Sequence, residues 1–168
     1  MLASRTVRLA DAWSDEAVAV LARAFFDDPQ FVYLEPDDDR RRPLMPLFMS
    51  VGVRYGRLFG EAYATDPQPL GGAIWLPPGH TEVLPDRLAE AGMAAAEEAA
   101  GPDAMARFGA FMEVGAMLHR RDMPMPHWYL MILGVDPPVQ GRGLGGSLIQ
   151  PVLDRADRDG LPLSLIHI

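Results

Sequence analysis

The chain has 168 residues and a formal net charge of −8, and 49% of its residues are hydrophobic. This length and composition predict one folded domain and exclude a largely disordered chain. There is no cysteine, which excludes disulfides, thiolate metal sites and a cysteine nucleophile. No apolar run reaches the roughly 18 residues that span a bilayer, and the acidic charge disfavours nucleic acid and anionic membranes as partners. Because no secretory leader is visible, we expect a soluble, cytoplasmic protein.

The first third of the sequence alternates strand-like and helical patterns. Residues 6–10 alternate polar and apolar side chains, as a half-buried strand does. Ser14 or Asp15 is placed to cap a following helix, which we expect to stop at Pro29 and to be followed by a loop. The acidic run at 37–39 then predicts the start of a second helix, because carboxylates favour the positive end of the helix dipole.

The middle of the chain predicts a hairpin and a broken helix. Two apolar runs at 60–64 and 72–76 flank a turn that contains Pro67. Residues 84–118 are rich in Ala, Glu and Met and predict a helix that breaks at Gly101. A stripe of large apolar side chains on this helix fits either core packing or a ligand groove, and it consists of Met105, Phe108, Met112 and Met117.

The last third combines a strand, a glycine-rich turn and a helix. Residues 127–135 are almost continuously apolar, which predicts a central strand buried on both faces. The turn has the sequence QGRGLGGS at residues 140–147. The helix after it contains Pro151, which we expect to kink it. Since no repeat or linker is visible, a single domain is expected.

A strand followed by a glycine-rich turn and a helix start is typical of a phosphate or pyrophosphate site. Glycine lets the backbone approach a ligand closely, and the free N–H groups of the first helical turn favour an anion. A turn built only for tight packing is the alternative. A P-loop would need a lysine before Ser147, which is absent. A dinucleotide fingerprint fits Gly141, Gly143 and Gly146, but we see no ribose-binding acid about 20 residues later.

A third motif fits better. The run from Val135 to Gly145 resembles the coenzyme A signature of the GNAT family of N-acetyltransferases, Q/R-x-x-G-x-G/A after a strand that ends in V-x-P. Segments 7–10, 24–29 and 73–78 occur in the order seen in the puromycin N-acetyltransferase-like branch. The resemblance covers most of residues 5–163. It implies an α+β, three-layer α/β/α acyl-CoA N-acyltransferase fold with a mixed, mostly antiparallel central sheet.

The resemblance also implies a cofactor site for acetyl-CoA as co-substrate, without a metal. The turn would hold the pyrophosphate, the strand end would pair with the pantetheine arm, and a backbone N–H near Leu133 would stabilise the oxyanion. Arg142 would either contact the pyrophosphate or face solvent. The residues implied to bind the cofactor are Leu133, Gly134, Val135, Gln140, Gly141, Arg142, Gly143, Leu144, Gly145, Gly146 and Ser147.

No catalytic residue can be identified from the sequence, although an alkylammonium acceptor must lose a proton to some base. The nearest acids lie on helices whose docking the sequence does not fix, and they are Glu97, Glu98 and Glu113. The histidines lack metal-ligand spacing, so we expect surface or packing roles for His80, His119, His127 and His167. Core or rim packing is expected for the aromatic residues Tyr33, Trp75 and Trp128.

The end of the chain departs from the family pattern. Relatives continue with further strands and the tyrosine that protonates the leaving thiolate, so we interpret residues 1–163 as an incomplete N-acetyltransferase domain and 164–168 as an artefactual tail. A short natural terminal strand is the alternative. The function expected of the parent protein is acetyl transfer from acetyl-CoA to a small-molecule or peptide primary amine by direct attack, while the 168-residue chain is expected to be inactive. The alternative function is a non-catalytic acyl-CoA-binding sensor or interaction module.

Overall fold

The structure is a computed structural model that describes residues 5–165, and the statements below concern this part of the chain. It contains one five-stranded sheet and six α-helices. The strands are β1 (Arg5–Arg8), β2 (Glu61–Asp66), β3 (Gly71–Leu76), β4 (Trp128–Val135) and β5 (Leu163–Leu165). The helices are α1 (Ser14–Ala24), α2 (Pro29–Leu34), α3 (Asp38–Phe59), α4 (Pro85–Glu90), α5 (Met93–Asp122) and α6 (Leu144–Asp159).

The strands lie in the sheet in chain order. β1 to β4 pair antiparallel with their neighbours, whereas β5 pairs parallel with β4. The predicted hairpin is formed by β2 and β3, and Thr65 closes its turn: the Leu70 N–H donates to Thr65 Oγ1, which donates to the Gln68 carbonyl. The parallel pair needs a crossover connection, and α6 supplies it.

Helices cover both faces of the sheet. On one face α1 and α3 pack on the strands and α5 packs on α3, while α6 packs alone on the other face. Each face has its own cluster of buried apolar side chains. This arrangement confirms the predicted mixed α+β fold with three layers. None of the helices within residues 5–165 is long and apolar enough to cross a membrane.

Two glycines let α3 lie directly on the central strands. A Cβ atom added at Gly52 would lie 2.4 Å from Ile132 Cδ1, and one added at Gly56 would lie 2.3 Å from Ile74 Cγ2. The two positions are four residues apart, so they share one face of the helix. The close approach of α3 to β4 fixes one wall of the site described below.

The predicted loop after Pro29 is wrong, because a short helix stands there. α1 ends at Ala24, and Pro29 begins α2. The Asp28 side chain accepts a hydrogen bond from the Gln30 N–H at 2.9 Å and so caps α2. Proline at the first helical position costs no hydrogen bond, so Asp28 and Pro29, which were predicted to stop α1, instead start α2.

The other predicted helices are present, with two differences: the helix predicted over 84–118 is divided at Gly92 (φ 97°) into α4 and α5, and α6 runs past Pro151. α3 begins after Asp37, whose side chain accepts a hydrogen bond from the Arg40 N–H at 2.9 Å. The helical conformation of α5 breaks at Gly101, where φ is 78°. α6 continues as one helix past Pro151. Proline lacks an N–H, and the Thr6 hydroxyl donates to the Ser147 carbonyl at 2.7 Å in its place.

Candidate active site

The outer edge of β4 is half covered. β5 pairs only with the first part of β4, from Trp128 to Leu130. Beyond Leu130, no strand within residues 5–165 pairs with this side of β4, although the inner side pairs with β3 as far as Val135. The backbone that was predicted to pair with a pantetheine arm therefore lies at a free strand edge.

A β-bulge lies where this free edge begins. Ile132 pairs with Ile74 and Leu130 pairs with Trp75, so Met131 has no partner on β3. The extra residue disturbs the alternation of side chains, and Met131 and Ile132 both face the side of the sheet that carries α3. The bulge thus brings two consecutive side chains to one cavity at the point where the free edge starts.

The glycine-rich turn follows β4 after a short 3-10 helix, Pro137–Val139. Gly141 and Gly143 have φ values of 74° and 82°, a region that favours glycine, and a Cβ atom at either position would meet nothing within 4 Å. The N–H groups of Leu144, Gly145 and Gly146 at the start of α6 donate no hydrogen bond to any residue of the described chain. These donors and the helix dipole make a site suited to a pyrophosphate.

Side chains of the turn hold it against the end of β4. Gln140 Nε2 donates to the Val135 carbonyl at 3.0 Å, which closes the turn onto the strand. Ser147 Oγ donates to the Leu144 carbonyl at 2.8 Å. The Leu144 side chain is buried, whereas Arg142 is exposed. Leu144 therefore offers only its backbone to a ligand, and the Arg142 guanidinium is free to reach one.

Gly134 has a packing role in addition to its place on the strand edge. A Cβ atom there would lie 2.7 Å from Leu21 Cδ2 and 3.0 Å from Phe25 Cε2. α1 thus lies against the end of β4 and supports it from the inner face. All the residues predicted to bind the cofactor fall on one continuous path from the strand to the first turn of α6.

A large cavity opens beside the bulge. Its volume is about 980 Å³, and it lies between α3, α5, the segment 79–84 and β4. The Tyr55 hydroxyl donates to the Glu82 carbonyl at 3.2 Å and accepts from the Leu84 N–H at 3.3 Å, so α3 holds that segment in place. A cavity of this size falls in the range of small-molecule sites, about 300–1,000 Å³.

Two buried histidines line this cavity and contact each other. His119 is near the end of α5 and His127 immediately precedes β4. Their Nε2 atoms are 2.7 Å apart, and His119 Nε2 is also 3.0 Å from Ser164 Oγ. Because a carbonyl can only accept, His127 Nδ1 carries a proton and donates to the Met125 carbonyl at 2.7 Å. In the neutral pair, His127 Nε2 is then the acceptor and His119 Nε2–H the donor.

Burial shifts the titration of two groups in the cavity wall. The pKa of His119 is lowered, first by desolvation and then by the neighbouring His127. Burial raises the pKa of Tyr129 to about 12. The His119 and Tyr129 rings are in contact, with centroids 4.5 Å apart. At neutral pH His119 is thus an uncharged imidazole with a lone pair, and Tyr129 keeps its proton.

Of the surface or packing roles predicted for the histidines, the structure excludes a surface role for His119 and His127, which form a buried polar pair in the cavity wall. The sequence carried only a weak signal for it, namely a histidine that directly precedes the most apolar strand. The two are eight residues apart across a helix end, so only the tertiary fold brings them together. His167 lies outside the described residues.

The remaining candidates divide into cavity and surface residues. Glu113 lies at the cavity, whereas Glu97 and Glu98 are exposed elsewhere on α5. On the apolar stripe, Phe108 and Met112 line the cavity, while Met105 packs in the core and Met117 is 53% exposed. Trp75 and Trp128 are buried as expected, and Tyr33 is exposed. Within residues 5–165, no three acidic or histidine side chains cluster as metal ligands would.

Comparison with curated proteins finds an N-acetyltransferase. The chain is 27% identical over 158 residues to an uncharacterised N-acetyltransferase of Schizosaccharomyces pombe. The match covers 89% of this chain and 63% of that relative, so this chain spans less than two thirds of the relative's length. No protein-family profile matches the chain.

Comparison with solved structures finds the same fold in acetyltransferases. Arylalkylamine N-acetyltransferase 2 of Aedes aegypti gives a TM-score of 0.63 at 15% identity, covering 98% of this chain and 76% of that one. A histone acetyltransferase HPA2-related protein of Corynebacterium glutamicum gives 0.62 at 21% identity, with coverage of 91% and 71%. A polyamine N-acetyltransferase of Drosophila melanogaster gives 0.55 at 19% identity, with coverage of 96% and 75%. The curated relative and these solved structures are all acetyltransferases by name, and the solved structures share the fold of this chain.

Proposed function

We propose that this protein transfers an acetyl group from acetyl-CoA to the primary amine of a small molecule. The observation that carries the proposal is the path from the edge of β4 beyond Leu130 to the N–H groups at the start of α6, both of which lack a partner among the described residues. One end of this path suits an extended amide-containing arm and the other suits a pyrophosphate. The cavity opens at the bulge, where the path begins.

The residues of the path have separate tasks. Leu133 and Val135 would offer backbone groups to the pantetheine arm, and the turn at 140–147 would surround the pyrophosphate with N–H donors. Acetyl-CoA supplies an activated acetyl thioester when it is bound. An N–H near Leu133 would donate to the oxygen that gains negative charge during acyl transfer, which is the role of an oxyanion hole.

Titration calorimetry of the 168-residue chain with acetyl-CoA tests the cofactor site. We expect binding in the wild-type chain and its loss in Gly143→Trp, because the large side chain would fill the open space above the turn and strain a backbone with φ of 82°. Gly160→Trp is the matched control. It places the same side chain at the other end of α6, at φ of 64° and also with nothing within 4 Å, so it should bind acetyl-CoA as the wild type does.

Three outcomes decide the proposal. If the wild type and Gly160→Trp bind acetyl-CoA and Gly143→Trp does not, the cofactor site is supported. Release of free thiol from acetyl-CoA in the presence of amines then supports the transferase activity. Binding without turnover in a protein extended to its relatives' length supports a non-catalytic acyl-CoA-binding module instead. Failure of a folded chain to bind acetyl-CoA, or competition by NAD, contradicts the proposal.

A further inference from the structure

We propose that the cavity binds a primary monoamine with an apolar or aromatic body, and that the amine donates a hydrogen bond to His119, which accepts its proton during acetyl transfer. This inference rests on the proposed function and adds to it an acceptor class and a proton acceptor. It is carried by the composition of the cavity wall, the geometry of the histidine pair and their common position beside the bulge.

The cavity wall favours an apolar body over a polycation. Seven Phe or Tyr and six Met residues line it, including Phe48 from α3, Phe108 and Met112 from α5, and Met131 from β4. Methionine adapts to ligands of irregular shape. Each additional ammonium group in such a cavity would have to be desolvated without a partner, which is costly.

The charged groups of the wall are balanced. Among the described residues that line the cavity, Glu82 and Glu113 are the acids, and Arg87 and Arg120 are the bases. A polyamine site would need several unpaired carboxylates, whereas here Arg120 Nη1 lies 3.9 Å from Glu82 Oε1. A single amine carried on an apolar group suits this wall better than a chain of amines does.

The neutral histidine pair has one imidazole lone pair that accepts no hydrogen bond from a described residue. Since His119 Nε2–H donates to His127, the lone pair of His119 is on Nδ1, and no described residue donates a hydrogen bond to that atom. His127 fixes the tautomer through its own bond to the Met125 carbonyl. His119 is therefore the group that would contact the amine, and His127 is a positioning residue.

With this assignment, both protons that the amine loses have an acceptor. An alkylammonium has a pKa near 10.4 in water, and an apolar cavity lowers it because the charged form is desolvated. One ammonium proton goes to His119 and then to water. As the amine nitrogen bonds to the acetyl carbon and the carbon–sulfur bond breaks, a second nitrogen-bound proton goes to the thiolate, which leaves as the thiol.

Several groups act on the titration of His119. His127 and desolvation lower its pKa, and Glu82 acts in the opposite direction. Tyr129 and Ser164 also contact it, but burial keeps the Tyr129 phenol protonated. His119 is thus unprotonated at neutral pH and becomes a cation that repels an ammonium only in more acidic solution.

The first arm of the test measures amine binding to the 168-residue chain by calorimetry, with and without saturating coenzyme A. We expect 2-phenylethylamine to bind about tenfold or more tightly than spermidine. Met112→Glu should reverse this preference, because it places a carboxylate in the cavity. Met117→Glu is the matched control, since it adds the same charge to an exposed position on the same helix, and it should change neither affinity.

The second arm follows the histidine side chains by NMR as a function of pH. Saturating 2-phenylethylamine should lower the titration midpoint of His119 by about 0.5 pH unit or more, because a bound ammonium and an imidazolium exclude each other. His127→Gln, whose amide oxygen can still accept from His119, should keep this linkage. His127→Leu should lose it even where the amine still binds, a result that packing alone would not produce.

The failure of this inference is distinct from the failure of the proposed function. Tighter binding of spermidine contradicts the acceptor class, and amine binding that leaves the His119 midpoint unchanged contradicts the contact. A chain that binds acetyl-CoA but no 2-phenylethylamine overturns the whole inference, while the cofactor site stands. The loss of acetyl-CoA binding in Gly143→Trp depends on none of these results.

Discussion

The two halves of β4 differ in what covers them. The first half, from Trp128 to Leu130, pairs with β3 on one side and β5 on the other, and it lies next to the histidine pair. The second half, from Leu133 to Val135, pairs within residues 5–165 with β3 alone and leads through a short 3-10 helix (Pro137–Val139) to the glycine-rich turn. Met131 and Ile132 lie between the two halves and face the cavity. One strand therefore has a closed end with buried titratable side chains and an open end with free backbone groups.

This difference separates two kinds of recognition. The open half offers backbone hydrogen bonds and helix N–H groups, which can bind a cofactor of constant structure. The closed half faces a cavity whose character depends on side chains. Changes at the open half should therefore affect cofactor binding and sheet stability, whereas changes at the closed half should affect acceptor binding and the response to pH.

The largest effect is expected where β3 supports the open half. A Cβ atom at Gly71 would lie 2.8 Å from the Gly134 carbonyl oxygen and 2.9 Å from Leu148 Cδ1. We expect Gly71→Val to lower the free energy of unfolding by about 3 kcal/mol through overpacking and to weaken acetyl-CoA binding. Urea denaturation and calorimetry measure the two effects. Gly109→Val is the control, because nothing lies within 4 Å there, and an equal loss in both variants would contradict the explanation.

The next effect concerns the closed half in alkaline solution. Tyr129 has its pKa raised to about 12, so the unfolded chain loses this proton first as the pH rises. The wild type should lose about 1.9 kcal/mol of unfolding free energy between pH 10 and pH 12, out of a total of about 2.7 kcal/mol that is complete only well above pH 12, because each pKa unit corresponds to about 1.4 kcal/mol. Tyr129→Phe should lack this loss. Urea denaturation at several pH values gives the unfolding free energy of both proteins. If this free energy falls equally steeply with pH in the wild type and in Tyr129→Phe, Tyr129 is not the cause.

The smallest effect is expected at the hydrogen bond between β1 and α6. Thr6→Val keeps the shape of the side chain but removes the donor to the Ser147 carbonyl. That carbonyl has no N–H partner in its helix because Pro151 stands four residues later. We expect a loss of about 1 kcal/mol of unfolding free energy. Pro151→Ala should restore a helical N–H to the Ser147 carbonyl, so the double variant Thr6→Val/Pro151→Ala should recover the stability that Thr6→Val loses. If the free-energy changes of the two single variants simply add in the double variant, this explanation is contradicted.

Local signals in the sequence predicted the framework of this molecule. Glycine and proline at 67–72 and at 101 mark breaks that depend only on backbone geometry, and Asp37 marks a helix start through its own capping bond. The cofactor path was predictable for the same reason, since strand, turn and helix start are consecutive in the chain. The sequence did not reveal α2 because an Asp-Pro pair occurs both after helix ends and at helix starts. Asp28 and Pro29 alone do not distinguish the two.

The acceptor side of the site could not be read from the sequence. The histidine pair forms because the end of α5 and the start of β4 meet in the fold, and no residue spacing encodes that meeting. The cavity depends on how α5 packs on α3 instead of on the sheet. The bulge at Met131 likewise exists only relative to its partner strand, because a single strand has no register.

The bulge also bears on how such a site could change over time. Met131 is an extra residue on β4 relative to β3, so it and Ile132 can be exchanged for larger or smaller side chains without a shift in the pairing of Val135 with Gly71. Deletion of Met131 would remove the bulge, because Leu130 already pairs with Trp75 and Ile132 with Ile74, and the cavity would lose one side chain. Substitution or loss of Met131 therefore changes the cavity wall while Val135 keeps its pairing with Gly71, so acceptor preference can diverge at this point while the cofactor half is inherited intact.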